Sequence, residues 1–543
     1  MNFRRESGVR RTSRTWVTVG LVLWMAPGCR LSSEVRGSDR PNIVVFLVDD
    51  LGWQDTSVAF LSPSGSERGK FRTPNLERLA AGGLIFTQAY ACCVCTPSRI
   101  SLLTGQNAAR HRATNWILRK DLPPDGKHER LEPPAWCANG LSGLPGDPLS
   151  VQAPALPQLL NAAGYRAIHV GKAHFGAEGT PGANPKNLGF DVSIAWNGAG
   201  GAGSHLGRNH FSARHRGGDP VYDVPDLQRF HGRNVFLTEA LTVEANREVE
   251  RAVQDRVPFF LYLAHYAVHT PIEADSRFVD RYLERGLDPI DAAYASMVEG
   301  VDQSLGDVVD NLRRRGVLER TLIVFLSDNG GLSAQGRSGT AHTHNLPLRS
   351  GKGSAYEGGI RIPLVMSWPR FIPRGTTCTS PVIIEDLFPT LIEIAGIPLT
   401  TPSPGAGIAV SSDSRILGAE PAAGPPYVDG ISLLPWLEDP ARSSIERALL
   451  WHYPNIWGPN GPGIGPFSAL RRDRWKLIYF HENRGLELFD LGKDIGEARN
   501  LAPERLELTR SLGAELGRLL RSVGAQMPVD KTTGLTVPYP DEN

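Results

Sequence analysis

Two short oxygen-rich pairs, Asp49-Asp50 and Asp328-Asn329, each follow directly on an apolar run. Three carboxylates and an amide oxygen form a hard, all-oxygen set, the ligand type of calcium or magnesium rather than zinc. Each pair alone is equally an ordinary turn or helix-cap pair. A third stretch, Cys92-Cys93-Val94-Cys95, gathers three of the six cysteines into four positions. The five cysteines beyond Cys29 are an odd number spread over a long chain, so no disulfide framework follows. Zinc fits poorly, because no CxxC pair recurs and no His stands at finger spacing. Adjacent Cys92 and Cys93 read as small buried hydrophobes. Cys95 is left as the thiol that needs a chemical account.

The elements that must position these residues are legible from pattern. Pro41 to Val48 (PNIVVFLV) and Thr321 to Leu326 (TLIVFL) are continuous apolar, β-branched runs, the mark of strands covered on both faces. Arg166 to Val170 and Pro258 to Ala264 read as two more strands. Between them, Thr73-Pro74 opens a helix as cap and first residue, and Leu156 to Ala163 carries a helical stripe closed by Gly164. Helices are also predicted over Leu237 to Val253 and from Tyr294 to Leu312, ending before Gly316. Strands alternating with helices predict an α/β fold, a large mostly parallel sheet sandwiched by helices, whose strand ends present ligands at their carboxyl edge. Pro398 to Pro426, rich in Pro, Gly, Ala and Ser, reads as an insertion or linker without elements. Past Arg447 shorter strands (Trp475 to Phe480, Leu486 to Phe489) and a helix over Pro503 to Val523 predict a small α+β subdomain.

Cys95-Thr96-Pro97-Ser98-Arg99, followed by Leu103-Thr104-Gly105, resembles the signature of the type I sulfatase family, in the alkaline phosphatase superfamily. Other elements of that family stand in order along residues 40 to 520: Asp49-Asp50, Gly171-Lys172-Ala173-His174, His269-Thr270-Pro271, Ser327-Asp328-Asn329-Gly330, and the stretch from Pro347 through Lys352 to Gly359. Ala173 departs from the family, where an aromatic is commoner. The resemblance implies hydrolysis of a sulfate monoester, on a sulfated carbohydrate and also on aryl sulfates. It implies that Cys95 is converted to 3-oxoalanine (formylglycine) by a formylglycine-generating or anaerobic sulfatase-maturating enzyme. One Ca²⁺ would be held by Asp49, Asp50, Asp328, Asn329 and the modified Cys95. Arg99, His174 and His269 would be catalytic, with His269 as acid for the leaving group and His174 as base. Lys172, Lys352 and, in a loosely matched Gly-rich loop, Ser204 would bind sulfate. His111, Asn115, Trp116, His342, His344, Arg349, Trp451 and His452 lie near motifs and are candidates for the leaving-group side.

Two other functions compete. One is phosphodiester or phosphonate hydrolysis on the same fold, which the cysteine signature disfavours. The other is non-catalytic binding of sulfated glycans with an unconverted Cys95. Charge points to no partner: with 58 basic against 57 acidic residues no basic face for nucleic acid can be argued, and none is expected. The first residues have the order of an export signal, with arginines up to Arg14, an apolar run from Trp16 to Met25, and Ala26-Pro27-Gly28-Cys29. Acylation of Cys29, giving a lipid-anchored protein, and simple cleavage nearby both stay open. The expected organisation is an export leader over 1–38, a catalytic domain over 39–446 with the insertion near 398–426, and a C-terminal subdomain over 447–543, in an exported periplasmic or cell-surface protein.

Overall fold

The computed structural model describes residues 1–2, 40–60, 70–334, 337–400, 408–410 and 427–542. The predicted export leader, Cys29 and most of the 398–426 insertion lie outside them. Nine strands form the main sheet. In spatial order they are Thr376–Cys378, Leu84–Tyr90, Arg361–Ser367, Thr321–Ser327, Asn42–Val48, Phe259–Ala264, Arg166–Gly171 and Val192–Ile194, with Val382–Ile383 joined to Leu84–Tyr90. The strands from Thr321–Ser327 to Val192–Ile194 run parallel, and Arg361–Ser367 is antiparallel to both of its neighbours. The antiparallel turn in the sheet was not expected from pattern.

Asn42–Val48 is buried along its whole length, and its alternate residues feed two cores. Ile43, Val45 and Leu47 join the cluster containing Leu156, Leu159, Phe388 and Trp436 on one face. Val44, Phe46 and Val48 join the cluster containing Leu241, Tyr294, Val301 and Leu305 on the other. Helices on both faces are what a parallel sheet requires, because each crossover returns along one face. The helices Leu237–Gln254 and Pro289–Arg314 confirm the periodicity reading to within a few residues. At the helix Pro74–Ala81 the cap chemistry differs from expectation. The Thr73 hydroxyl binds Ser57, and the free N–H groups of Asn75 and Leu76 donate instead to the carboxylate of Asp302 on the neighbouring helix.

Within the insertion, Leu399–Thr400, Ile408–Val410 and Tyr427–Val428 pair as a small three-stranded sheet, so the segment holds elements where none was expected. Beyond it, Ala448–Tyr453, Phe467–Arg472, Trp475–Phe480 and Gly485–Asp490 form an antiparallel meander. Leu470, Leu477 and Leu488 pack toward the helix Leu506–Ser522. Trp451, Ile478 and Phe489 pack the other way, onto Tyr90, Cys93, Tyr356 and Ile360 of the larger sheet region.

Candidate active site

Register alone brings the oxygen ligands together. Val48 pairs with Ser327 and Leu47 with Ala264, so Asp49-Asp50 and Asp328-Asn329 leave adjacent strands side by side at the carboxyl edge. Gly171 also pairs with Ala264, which delivers Lys172 one strand further along the same edge. Carboxylate oxygens of Asp49, Asp50 and Asp328 lie within 4.8 Å of one another, and all three side chains are fully buried. Lys352 Nζ stands 2.6 Å from Asp50 Oδ1, and Lys172 Nζ 2.7 Å from Asp49 Oδ2. Arg99 gives Nε to Asp328 Oδ2 at 2.9 Å and Nη1 to the Lys172 carbonyl at 3.0 Å.

These charges, three acids and three bases, sum to zero in a dry site, yet the acids are not satisfied. Asp49 Oδ1, Asp50 Oδ2 and Asn329 Oδ1 are buried without a hydrogen-bond partner. Unpaired buried oxygens on three facing side chains are the signature of a site shaped for a hard cation. Burial pushes the Asp49 carboxyl well up, with Asp328 and Asp50 adding and Lys172 opposing. For Asp50, burial also opposes ionisation, but Lys352, His269, Lys172 and the Asn329 amide hold it far below the usual range. Three acids facing one another this closely repel, and a divalent cation supplies the positive charge that lets all three stay ionised. The residues therefore fit calcium or magnesium.

Cys95 begins the helix Cys95–Thr104, every residue of which is buried. An internal helix of ten residues directs its unpaired N-terminal N–H groups at the Cys95 end, a favourable place for negative charge. Ser98 holds the entry by accepting from the Cys92 N–H and donating to the Val94 carbonyl. Cys92, Cys93, Cys95, Cys137 and Cys378 are all free thiols.

Above the acids lies a cleft of about 280 Å³ lined by Cys95, Lys352, His174, His269 and the aromatic rings of Trp116, Tyr222 and Trp457. His174 Nε2 donates to the Ile117 carbonyl at 2.8 Å, which fixes the tautomer and leaves Nδ1 as a lone pair without a partner. Burial, with Lys172 adding, lowers this imidazole well below its ordinary value. It is neutral and can accept a proton. His269 Nδ1 donates to the Thr270 carbonyl at 2.8 Å, and its Nε2 faces Asp50 Oδ2 at 3.7 Å. Burial, then Lys352, press His269 down to about 3, against the pull of Asp50. Its side chain is still 27 % exposed to the cleft.

Three expectations need correction. Ser204 does not line the cleft. It is fully buried with its hydroxyl donating to Glu273 at 2.9 Å, and the next residue, His205, bonds the His269 carbonyl through Nε2 at 3.1 Å. Ser204 thus braces the His269 loop. Arg99 and Lys172, fully buried, sit beneath the cleft on the acids rather than in its wall. Of the residues expected on the leaving-group side, Trp116 alone lines the cleft. His111 bonds Ser101, Asn115 accepts from Tyr453, and the Trp451 indole donates to Ala91. His452 is buried between Ser468 and Gln526, His342 bonds Ser333, and His344 bonds the Ser338 carbonyl. Arg349 lies over the Tyr356 ring. Tyr222 and Trp457 were missed; an aromatic inside a Gly/Pro-rich loop, as in Trp457-Gly458-Pro459, is the signal that marks the second.

A sequence model of the family described as Sulfatase matches residues 41–397. The chain is 31% identical to the N-acetylgalactosamine-6-sulfatase of Sus scrofa, covering 85% of this chain and 82% of that protein. It is 28% identical to a sulfatase of Formosa agariphila, covering 94% and 95%. Among solved structures, Ps i-CgsB in complex with k-i-k-neocarrahexaose superposes with a TM-score of 0.65 at 26% identity, covering 89% of this chain and 93% of that one.

Proposed function

The chain belongs to the type I sulfatase family and is a sulfuric ester hydrolase; from that premise we propose that it removes sulfate from a sulfated sugar, with Cys95 in its 3-oxoalanine form as the nucleophile. The observation that carries this is the convergence of Cys95, Lys352, His174 and His269 on one cleft directly above three buried carboxylates, with unpartnered oxygens on Asp49, Asp50 and the neighbouring Asn329 amide. The relatives named as sugar sulfatases, and the carrahexaose in a similar fold, support a glycan substrate.

Asp49, Asp50, Asp328 and Asn329 would hold one Ca²⁺, which when bound supplies positive charge opposite the sulfate oxygens. The 3-oxoalanine hydrate supplies a hydroxyl nucleophile at a helix N-terminus. The chain's own groups do the rest. A sulfate monoester resists attack because its charge repels a nucleophile, and Lys352 in the cleft wall, with Lys172 and Arg99 beneath, neutralises that charge. His174, held as the Nε2–H tautomer by Ile117, offers Nδ1 to take the proton that returns the nucleophile to its resting form. Burial first, then Lys352 and Lys172, hold the His269 imidazole low against the pull of Asp50. An anion held by Lys352 opposes the lysines' effect and raises this imidazole, and Nε2, opposite the Nδ1–H that Thr270 fixes, is the atom placed to pass a proton to the departing sugar oxygen.

The leader's arginines and apolar run support export, with a maturating enzyme as partner before the chain folds. Peptide mass spectrometry across Cys95, paired with sulfate release from a panel of sulfated glycans, tests the reading. An aldehyde or its hydrate together with turnover is expected; an intact thiol in protein that turns over sulfate esters would overturn the assigned nucleophile.

A further inference from the structure

Resting on the sulfate-ester reading, we propose that the leaving-group half of the cleft is a subsite for one neutral saccharide ring, carrying no charge beyond the scissile sulfate, with Trp457 and Trp116 as its specificity-determining residues. Three aromatic side chains from three separate segments, Trp116, Tyr222 and Trp457, form this half. Flat apolar faces suit the CH-bearing face of a sugar ring.

Charge decides the class. Among the described lining residues the charged or titratable groups are Cys95, Lys352, His174 and His269 on the sulfate side and the Tyr222 phenol, kept neutral by burial, and the remainder are Trp, aliphatic, Gly, Thr and Pro. A second sulfate or a uronate carboxylate would be desolvated here with no counter-charge, and burying an unpaired anion is prohibitive. Size points the same way. At about 280 Å³ the cleft falls just below the range of roughly 300–1,000 Å³ usual for drug-sized ligands, room for a single sulfated ring.

Both indoles are held for this task. A Cβ on Gly353 would stand 2.2 Å from the Trp457 ring, so the indole lies directly on the backbone that follows Lys352. The distance from sulfate-binding lysine to ring platform is thereby fixed by one contact, made across to the C-terminal meander that carries Trp457. Trp116 Nε1–H is buried with no partner, while its backbone N–H is satisfied by Asn115 Oδ1 at 2.9 Å. A buried donor without a partner gains when a ligand acceptor reaches it, and a sugar ring in this half carries hydroxyl acceptors on several of its carbons.

The test measures kcat/KM of the calcium-loaded, converted enzyme on three groups of substrates. These are monosulfated regioisomers of galactose and N-acetylgalactosamine, the same sugars bearing a second sulfate or linked to a uronic acid, and 4-methylumbelliferyl sulfate. At least one neutral monosulfated sugar is expected to exceed every doubly charged one by tenfold or more. Trp116→Phe, which removes only the N–H, should raise KM for that sugar about tenfold. Trp457→Ala should lower kcat/KM for it at least tenfold more than for the aryl sulfate, with unchanged thermal unfolding as the folding control. Equal or better turnover of doubly charged sugars, or equal losses on sugar and aryl substrates in both variants, overturns the proposal. Absence of turnover on every sulfate ester, the aryl sulfate included, overturns the hydrolase reading itself.

Discussion

Lys476→Met isolates what the C-terminal meander does for the site. Lys476 is fully buried, with Nζ 2.9 Å from Glu357 Oε1 and 2.7 Å from Glu497 Oε1. Glu357 stands five residues beyond Lys352 and receives the Tyr90 hydroxyl at 2.7 Å and Arg361 Nη1 at 3.1 Å. Its backbone N–H donates to Glu497 Oε2 at 2.6 Å. Removing one partner of a buried pair costs about 3–5 kcal/mol, because the other charge is left uncompensated. Here the loss falls at the lower end, about 3 kcal/mol. Glu357 keeps Arg361, and Glu497, already raised by burial to about 7, can take up a proton. With unfolding entropy near ~2 cal/mol/K per residue, a chain of this length unfolds with roughly 1 kcal/mol/K, so the melting temperature should fall by about 3 °C. Glu357 anchors the turn after the lysine loop, so kcat/KM should fall as well, with KM carrying most of the change. Adding Glu497→Gln should recover about 1–2 kcal/mol, since it removes the acid that lost its cation. Differential scanning calorimetry with aryl sulfate kinetics on the wild type, both single variants and the double variant gives the cycle. Melting within 1 °C of wild type for Lys476→Met, or additive variants, would refute the triad as a clamp.

Cys95→Ser should reduce turnover by at least about 10³-fold with calcium affinity and unfolding little changed, and retained activity would remove Cys95 from the mechanism. Dialysis against a chelator should abolish turnover, and added Ca²⁺ should restore it. Calcium at about a hundred times its dissociation constant should stabilise the fold by ~2.7 kcal/mol, and no thermal shift would argue against the three-acid site. Glu497→Gln tests a pH effect: burial raises this carboxyl, Glu357 adds and Lys476 opposes. A raised carboxyl contributes stability that is complete below its unfolded value and lost as pH rises through about 7, so wild type should lose up to roughly 3 kcal/mol relative to the variant between about pH 4.5 and 8. A pH-independent difference in denaturant unfolding rules this out. Ser204→Ala should cost about 1 kcal/mol of stability and leave kcat within about threefold, and a hundredfold loss would return Ser204 to the sulfate.

Sequence alone determined the parts of this protein that depend on local pattern or on covalent order. The runs at Asn42–Val48 and Thr321–Ser327 announced doubly covered strands, because a strand with both faces buried must be apolar at every position. The ordered motifs named the chemistry and singled out Cys95 from its neighbours Cys92 and Cys93. Tertiary structure decided what depends on register and on distant segments meeting. Asp49 stands beside Asp328 because Val48 pairs with Ser327, a match across 279 positions that no local signal encodes. The same applies to Arg99 and Lys172, which the fold sinks onto the acids, and to Ser204, whose hydroxyl is claimed by Glu273. The wall facing the leaving group is a meeting of Trp116, Tyr222 and Trp457 from separate loops. Trp457 reaches it because the C-terminal meander packs its Trp451 face against the larger sheet region, and that packing is a property of the whole fold.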